Sequence, residues 1–192
     1  QQRFERECGL WKELVSQEFD QLGANLRSLQ VLATRHPEWL DWQLADGLSK
    51  SSQILSIIES QFRHQNSNFR NFGLISLVRD PQREDFEKRF RERRQGAQGI
   101  RDATSQHRSA SSPRRSVYYP ITLLTGAQSA LGMDLNSLPG RVPPMLESVS
   151  LDQVTASDLL SSWSQPGRKD GMFLFLPVFS RHNQLIGFVS GT

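Results

Sequence analysis

Residues 172–192, MFLFLPVFSRHNQLIGFVSGT, contain two apolar runs separated by a short polar stretch. Phe, Leu, Val and Ile make up most of both runs, and β-branched and aromatic residues are common in strands. The residues RHN at 181–183 are typical of a turn that joins two antiparallel strands. The stretch therefore predicts a β-hairpin, and with it an antiparallel sheet.

The opposite end of the sequence has helical spacing. Apolar residues recur every three or four positions over residues 1–33, which predicts one long amphipathic helix. A helix of roughly 30 residues is about 45 Å long, more than a small domain needs. Two interpretations stay open: the helix packs along its own domain, or it is a stalk that also pairs with a second copy. The apolar positions are Phe4, Cys8, Trp11, Val15, Phe19, Leu22, Leu26, Leu29 and Ala33.

Helical and strand-like segments alternate between these two ends. A proline at 37 ends the long helix, because the residue before proline disfavours the α region. The overall pattern predicts an α+β fold with an antiparallel sheet. The predicted helices cover 37–48, 52–62, 81–96 and a segment near 142–151, and the further predicted strands lie in 71–80 and 116–125.

Composition excludes several classes of protein. The net charge of the 192 residues is only +3, and no motif or aromatic pattern for nucleic-acid binding is present. A single cysteine allows no internal disulfide. No run of 18 or more apolar residues is long enough for a membrane span, and no secretory leader is evident. Residue 1 lies inside a helical pattern and residue 192 inside a strand pattern, so we expect a piece of a larger protein.

The sequence has no arrangement of residues that indicates catalysis. The four histidines are scattered without metal-ligand spacing, and the chain has no P-loop, GxGxxG or GxSxG motif. We therefore expect no metal, no cofactor and no enzymatic activity.

One aspartate stands out because of its neighbours. Asp134 lies in LGMDLNSLPGR, residues 131–141, shortly after the apolar run YYPITLLT. A carboxylate in this position can accept N–H bonds from a ligand in an apolar pocket. Alternatively, it caps the turn that follows or pairs with Arg141. Both interpretations remain open from the residues alone.

Residues 74–192 resemble the CHASE domain, the extracytoplasmic sensor module of membrane receptors. The matching segments are LISLVRDPQREDFEKRF at 74–90, RRSVYYPIT at 114–122, LGMDLNSLPGR at 131–141, FLFLPVF at 173–179 and GFVSG at 187–191. The first 73 residues resemble the family only in being helical. The motif residues are Arg83, Glu84, Phe86, Glu87, Gly132, Asp134, Ser137, Pro139 and Arg141.

The resemblance implies a fold and a location. CHASE domains lie between two membrane helices, and the resemblance places this chain on the periplasmic side of a bacterial inner membrane. Their fold is a long stalk helix followed by two PAS-like subdomains with antiparallel sheets. On this basis residues 1–68 form the helical stalk and linking helices. Residues 69–160 form the membrane-distal PAS-like subdomain, and 161–192 provide strands of the membrane-proximal one.

The resemblance also implies a site. In the cytokinin-receptor branch, an aspartate of this block hydrogen-bonds an adenine-type hormone, and Asp134 occupies that position. Phe175 stands where the plant receptors have a hormone-binding threonine, which argues against a plant-type pocket. We expect an unknown small-molecule ligand, with adenine-like compounds among the candidates. The predicted pocket residues are Tyr119, Ile121, Leu123, Met133, Asp134, Leu159, Phe173 and Phe175.

The resemblance implies signalling through a pair of chains. Ligand binding would be transmitted through the stalk to a cytoplasmic histidine kinase or a cyclic di-GMP synthase or hydrolase, with residues 1–33 forming a homodimer. The alternative is a dimerisation or protein-interaction module with no small-molecule ligand.

Overall fold

The computed structural model describes residues 2–43, 57, 58, 60, 71–94, 97–104, 110–125, 128–138, 140–158, 160, 161 and 169–191. Its helices are α1 (Gln2–Arg35), α2 (Arg83–Arg93) and α3 (Val142–Leu151). Residues 57, 58 and 60, within the predicted helix at 52–62, are also helical, and the rest of that segment lies outside the described residues. A 3-10 turn at Pro37–Trp39 begins the segment that follows α1.

Most of the strands are short. They are β1 (Phe72–Ser76), β2 (Val78–Arg79), β3 (Arg101–Asp102), β4 (Val117–Tyr118), β5 (Ile121–Leu124), β6 (Met133–Asp134), β7 (Thr155–Ala156), β8 (Leu160–Ser161), β9 (Lys169–Gly171), β10 (Leu174–Phe179) and β11 (Leu185–Gly191). Five of them form one antiparallel sheet in the order β5-β1-β11-β10-β7. The predicted hairpin is confirmed as β10 and β11, and the fold is α+β as expected.

The hairpin pairs with strands that precede the predicted boundary between 160 and 161, and the division into two subdomains stays a prediction. β11 pairs with β1 from Phe72 opposite Gly191 to Ser76 opposite Gly187. β10 pairs with β7 on its other side. Both strands of the hairpin have apolar side chains on both faces. They are therefore stable in the interior of a sheet, and they pair within the sheet that contains β1.

The two faces of this sheet have separate hydrophobic clusters. Side chains from α1 and the segment after it cover one face, which we call the helix face. It contains Leu26, Leu29, Ala33, Trp39, Leu40, Ile58, Phe72, Leu74, Leu123, Leu174, Leu176, Val178 and Val189. The loops around β6 and helix α3 cover the other, which we call the loop face. It contains Ile75, Tyr119, Ile121, Leu124, Ala130, Met133, Leu135, Met145, Phe175 and Phe188.

Helix α1 divides into two parts along its length. Leu26, Leu29 and Ala33 are fully buried against the helix face of the sheet. Side chains at 16–21 are all exposed. The second half of the apolar stripe therefore packs within its own domain. The side chains of Phe4, Cys8, Trp11 and Val15 lie outside the described residues.

A polar contact supplements this packing and leads to a prediction. The Gln30 side-chain amide donates to the carbonyl of Pro177 in β10 at 2.6 Å. We expect Gln30→Ala to lower the free energy of unfolding by about 1 kcal/mol, the usual net value of one such bond. Urea unfolding measures this change. Gln17→Ala, at an exposed position of the same helix, is the control and should change stability by less than about 0.5 kcal/mol. Equal effects of the two variants would contradict the contact.

Candidate functional site

Asp134 is completely buried, and backbone donors hold one of its carboxylate oxygens. Its Oδ1 accepts hydrogen bonds from the backbone N–H of Tyr119 at 2.8 Å and of Asn136 at 3.0 Å. The bond from Asn136 caps the 3-10 turn Leu135–Ser137. Asp134 thus performs the capping role left open in the sequence, and it also ties β6 to the strand segment that precedes β5.

The second carboxylate oxygen faces the loop at 110–116. Oδ2 accepts from the Ser112 hydroxyl at 3.1 Å and lies 3.8 Å from Nε of Arg115, an ion-pair distance too long for a hydrogen bond. The alternative ion pair with Arg141 is wrong, because that guanidinium lies over the ring of Phe173. Burial raises the pKa of Asp134 above its usual 3.8, while its hydrogen bonds and the charge of Arg115 act in the opposite direction.

The residues that follow Asp134 continue the same network. Ser137 donates its hydroxyl proton to the Asp134 carbonyl at 2.5 Å and accepts from the N–H of Ala103 at 2.9 Å. Asn136 donates from its side chain to the Val117 carbonyl at 2.7 Å. The DLNS sequence therefore connects three separate segments, which explains why short polar side chains occur at these buried positions.

Gly132 permits the turn that precedes Asp134. Its φ is +81°, and a Cβ at this position would lie 2.3 Å from the carbonyl oxygen of Gly99. Its N–H donates to Ile121 and its carbonyl accepts from the N–H of Arg101, both at 2.8 Å. Only glycine combines this left-handed backbone with so close an approach.

Arg83 anchors the 110–116 loop from the first turn of α2. Its guanidinium donates to Glu87 at 2.8 Å, to the Ser112 carbonyl at 2.8 Å and to the Ser111 hydroxyl at 2.7 Å. It also lies 4.8 Å from the ring centroid of Tyr118. The family-motif residues Arg83 and Glu87 therefore fix the loop that brings Ser112 to Asp134.

Asp80 secures the other end of that loop. Its carboxylate accepts from Nε of Arg114 at 2.8 Å and from the Tyr118 hydroxyl at 3.0 Å. The hydrogen bond from Arg114 is the main reason that the pKa of Asp80 lies below 3.8.

This shift gives a prediction for acid stability. Because the folded-state pKa is lowered, stability from Asp80 is fully present above pH 3.8 and is lost as the pH falls through the folded-state value. The pKa of Asp134 is raised in the folded state, so its contribution to stability is instead lost as the pH rises. We expect Asp80→Asn to flatten the acid limb of the stability curve, measured by thermal unfolding from pH 6 to about pH 2. Asp20→Asn, on the exposed side of α1, is the control, and parallel curves for wild type and Asp80→Asn would contradict the assignment.

The structure brings most of the predicted pocket residues together. Tyr119, Ile121, Met133 and Phe175 are buried on the loop face, and Phe173 packs against them. The rings of Phe173 and Phe175 are stacked with centroids 5.9 Å apart. Leu159 lies outside the described residues. Ligand binding by this group stays a prediction.

Leu123 is the exception, since it lies on the helix face. A bulge at Thr122 is the cause: Ile75 is opposite Ile121, but Leu74 is opposite Leu123, so Thr122 is an extra residue in β5. One extra residue turns the following side chains to the other side of the sheet. The i, i+2 spacing of Ile121 and Leu123 therefore does not put them on one face.

Three contact residues of Asp134 were not among the candidates: Ser112, Arg115 and Asn136. Ser112 and Arg115 come from a polar loop about 20 residues away in sequence, and no periodicity connects them to Asp134. The pair of arginines in RRSVYYPIT was the available signal, since a buried carboxylate needs a cation or several donors.

A cavity of about 390 Å³ lies where the residues after α1 meet β2 and the turn between β10 and β11. Trp42, Leu77, Arg79 and Gln184 are among its lining residues, and none of the predicted pocket residues is. Among the described residues, no group of histidine, cysteine and carboxylate side chains could hold a metal ion. In the same ranges, no helix has the length and apolar character required to cross a bilayer.

The comparisons identify the family. The family model of the CHASE domain matches residues 56–192. This range is more than half of the chain and includes α2, α3 and β1 to β11. Comparison with curated proteins gives no match. CHASE domains are extracellular or periplasmic sensor domains of signalling receptors and are not catalytic. The chain belongs to the CHASE domain family.

Proposed function

We propose that this domain senses a small molecule outside the cytoplasmic membrane of a bacterium and passes the signal through α1 to a cytoplasmic output domain. One observation supports this more than any other. A single sheet separates the loop face, where the candidate ligand residues gather, from the helix face, where α1 docks.

Strand β10 contributes to both faces. Leu174, Leu176 and Val178 belong to the helix face, while Phe175 belongs to the loop face. The Pro177 carbonyl in the same strand accepts from Gln30 of α1. A ligand that changes the position of Phe175 must therefore move the side chains against which α1 packs. Because packed interiors transmit strain, β10 can couple a displacement on the loop face to the position of α1 on the helix face.

The signal would be a shift between two arrangements of α1 on the sheet. A ligand can shift such an equilibrium only by as much as its affinities for the two arrangements differ. Ligand contact with Phe173, Phe175 and Tyr119 would supply that difference, since these rings lie on the loop face. Asp134 has three protein donors, and a ligand N–H would use the remaining acceptor position on Oδ2.

Helix α1 is well suited to a stalk. Its exposed stretch at 16–21 extends from the part that is docked on the sheet. Pairing of two chains along the portion before Leu22 would leave the docked half free to move with the sheet. The output domain in the full receptor would be a histidine kinase or a cyclic di-GMP synthase or hydrolase.

Thermal unfolding against a compound panel tests this function. The panel contains adenine derivatives, amino acids, nucleobases and small carboxylic acids. A compound at 100 times its dissociation constant should add about 2.7 kcal/mol, a shift of several degrees for a domain of this size.

Phe173→Leu and Phe179→Leu provide a matched pair for any compound that binds. Both phenylalanines are half-buried, but only Phe173 packs on the loop face. Phe173→Leu should reduce the shift, and Phe179→Leu should leave it unchanged. A well-folded protein that no compound stabilises would instead favour a dimerisation or protein-interaction module.

A further inference from the structure

Arg141 is a buried cation with no anionic partner among the residues that the structure describes. Its side chain is only 2% exposed, at the residue where α3 begins. Within the described part of the chain, neither Nε nor Nη1 has a hydrogen-bond partner. The guanidinium contacts the ring of Phe173, whose centroid lies 4.0 Å from Cζ.

This arrangement is energetically unfavourable for the free domain. Burial lowers the pKa of Arg141 to about 10, so the side chain stays charged at neutral pH. A buried charge that lacks a counter-ion and part of its hydrogen bonds destabilises the fold. Arg83 shows the contrast, because its guanidinium donates to Glu87, Ser111, Ser112 and Tyr118.

The ring contact of the guanidinium does not use its N–H donors. A ring at cation–π distance occupies the flat face of the group, whereas the N–H bonds lie in its plane and point outward. A planar carboxylate approaching in that plane can accept two of these bonds. The neighbouring side chains of Leu138, Val142 and Phe173 are half-buried and belong to the loop face, so they offer apolar contact to the rest of such a molecule.

We propose that Arg141 binds the carboxylate of a small organic acid whose apolar or aromatic body contacts Phe173. The inference rests on the proposed sensing function and names the chemical class of its ligand. A monocarboxylate fits better than a phosphate, because one guanidinium neutralises one negative charge, and a second charge buried beside it would remain unpaired.

The experiment uses the whole chain and sodium benzoate as the probe, with sodium chloride of equal ionic strength as the reference. Benzamide is the neutral analogue, and inorganic phosphate is the alternative anion. Arg141→Gln removes the cation. Arg94→Gln is the matched control, since Arg94 is also buried, at 7% exposure, with Nε and Nη2 unpartnered, but it follows α2, away from the loop face.

We expect benzoate to raise the melting temperature of wild type and of Arg94→Gln but not of Arg141→Gln, while benzamide and phosphate have no effect. Without any probe, Arg141→Gln should be at least as stable as wild type, because it removes an unpaired buried charge. If that variant does not fold, Arg141→Lys keeps the charge without the planar fork. It should bind benzoate about tenfold more weakly or worse, the effect of one lost hydrogen bond to a charged group.

The inference is overturned if benzoate has no effect on wild type, if it has an equal effect on Arg141→Gln, or if phosphate has a larger effect than benzoate. A neutral compound that stabilises wild type and Arg141→Gln alike would also reject it, yet would leave the proposed sensing function intact. If the benzoate shift requires Arg141 but is unaffected by Phe173→Leu, the proposed contact between the ligand and Phe173 is wrong.

Discussion

Replacement of Asp134 by alanine is expected to lower the free energy of unfolding by about 3–6 kcal/mol. The change leaves the N–H groups of Tyr119 and Asn136 and the hydroxyl of Ser112 without their acceptor. A buried donor that loses its partner costs about 1–3 kcal/mol. Arg115, 3.8 Å away, also loses its counter-charge.

Denaturant unfolding measures this loss, with Ser112→Ala as the control. That variant removes one donor and keeps both backbone bonds to Asp134, so we expect it to cost only about 1 kcal/mol. If Asp134→Ala stays within about 1 kcal/mol of wild type, the carboxylate is not structural. Loss of ligand binding in such a stable variant would then assign Asp134 to the ligand alone.

Gly132→Ala is expected to be similarly severe, by about 3 kcal/mol or more. A residue with a Cβ at φ +81° has a strained backbone, which costs about 1–2 kcal/mol. The new Cβ would also lie 2.3 Å from the carbonyl oxygen of Gly99. Backbone rather than a flexible side chain blocks the space, so β6 and β3 must separate to accommodate it.

Gly140→Ala isolates the steric part of this effect. Gly140 has the same φ of +81°, but a Cβ there meets nothing within 4 Å. Both variants therefore suffer the backbone strain, and only Gly132→Ala has the clash. Thermal unfolding of the pair should show a clearly larger loss for Gly132→Ala. Equal losses of stability would mean that the clash with the Gly99 carbonyl oxygen does not contribute to the effect of Gly132→Ala.

The hairpin and the amphipathic helix were predictable because their signals are local. Alternating apolar residues in β10 and β11 fill the two faces of an interior pair, and the spacing of Leu22, Leu26, Leu29 and Ala33 follows one side of a helix. Such patterns depend on residues that are close in the sequence, so one amino-acid sequence is enough to detect them.

The remaining features depend on contacts between distant segments. The bulge at Thr122, which sends Leu123 to the helix face, is stabilised by bonds to Leu74 and Ser76 of β1. The partners of Asp134 come from the 110–116 loop, which Arg83 and Asp80 hold in place. Nothing local in the sequence indicates either arrangement, and the same is true of β11 pairing with β1.

The candidate site shows the same division. Gly132, Asp134 and Ser137 lie in one short segment of the sequence, but their buried hydrogen bonds could not be read from spacing. An ion pair between Arg141 and Asp134 is one of the alternatives that the sequence leaves open, because opposite charges attract. Its actual neighbour is Phe173, and that choice depends on how α3 packs against β10.

Hydrogen exchange of the whole chain, with and without the first compound that raises its melting temperature, tests the coupling of the two sheet faces most directly. We expect altered exchange at Tyr119 and along β10, together with altered exchange in the docked half of α1 around Leu26 and Gln30. Protection confined to the loop face, with α1 unchanged at saturating compound, would contradict signal transmission through the sheet.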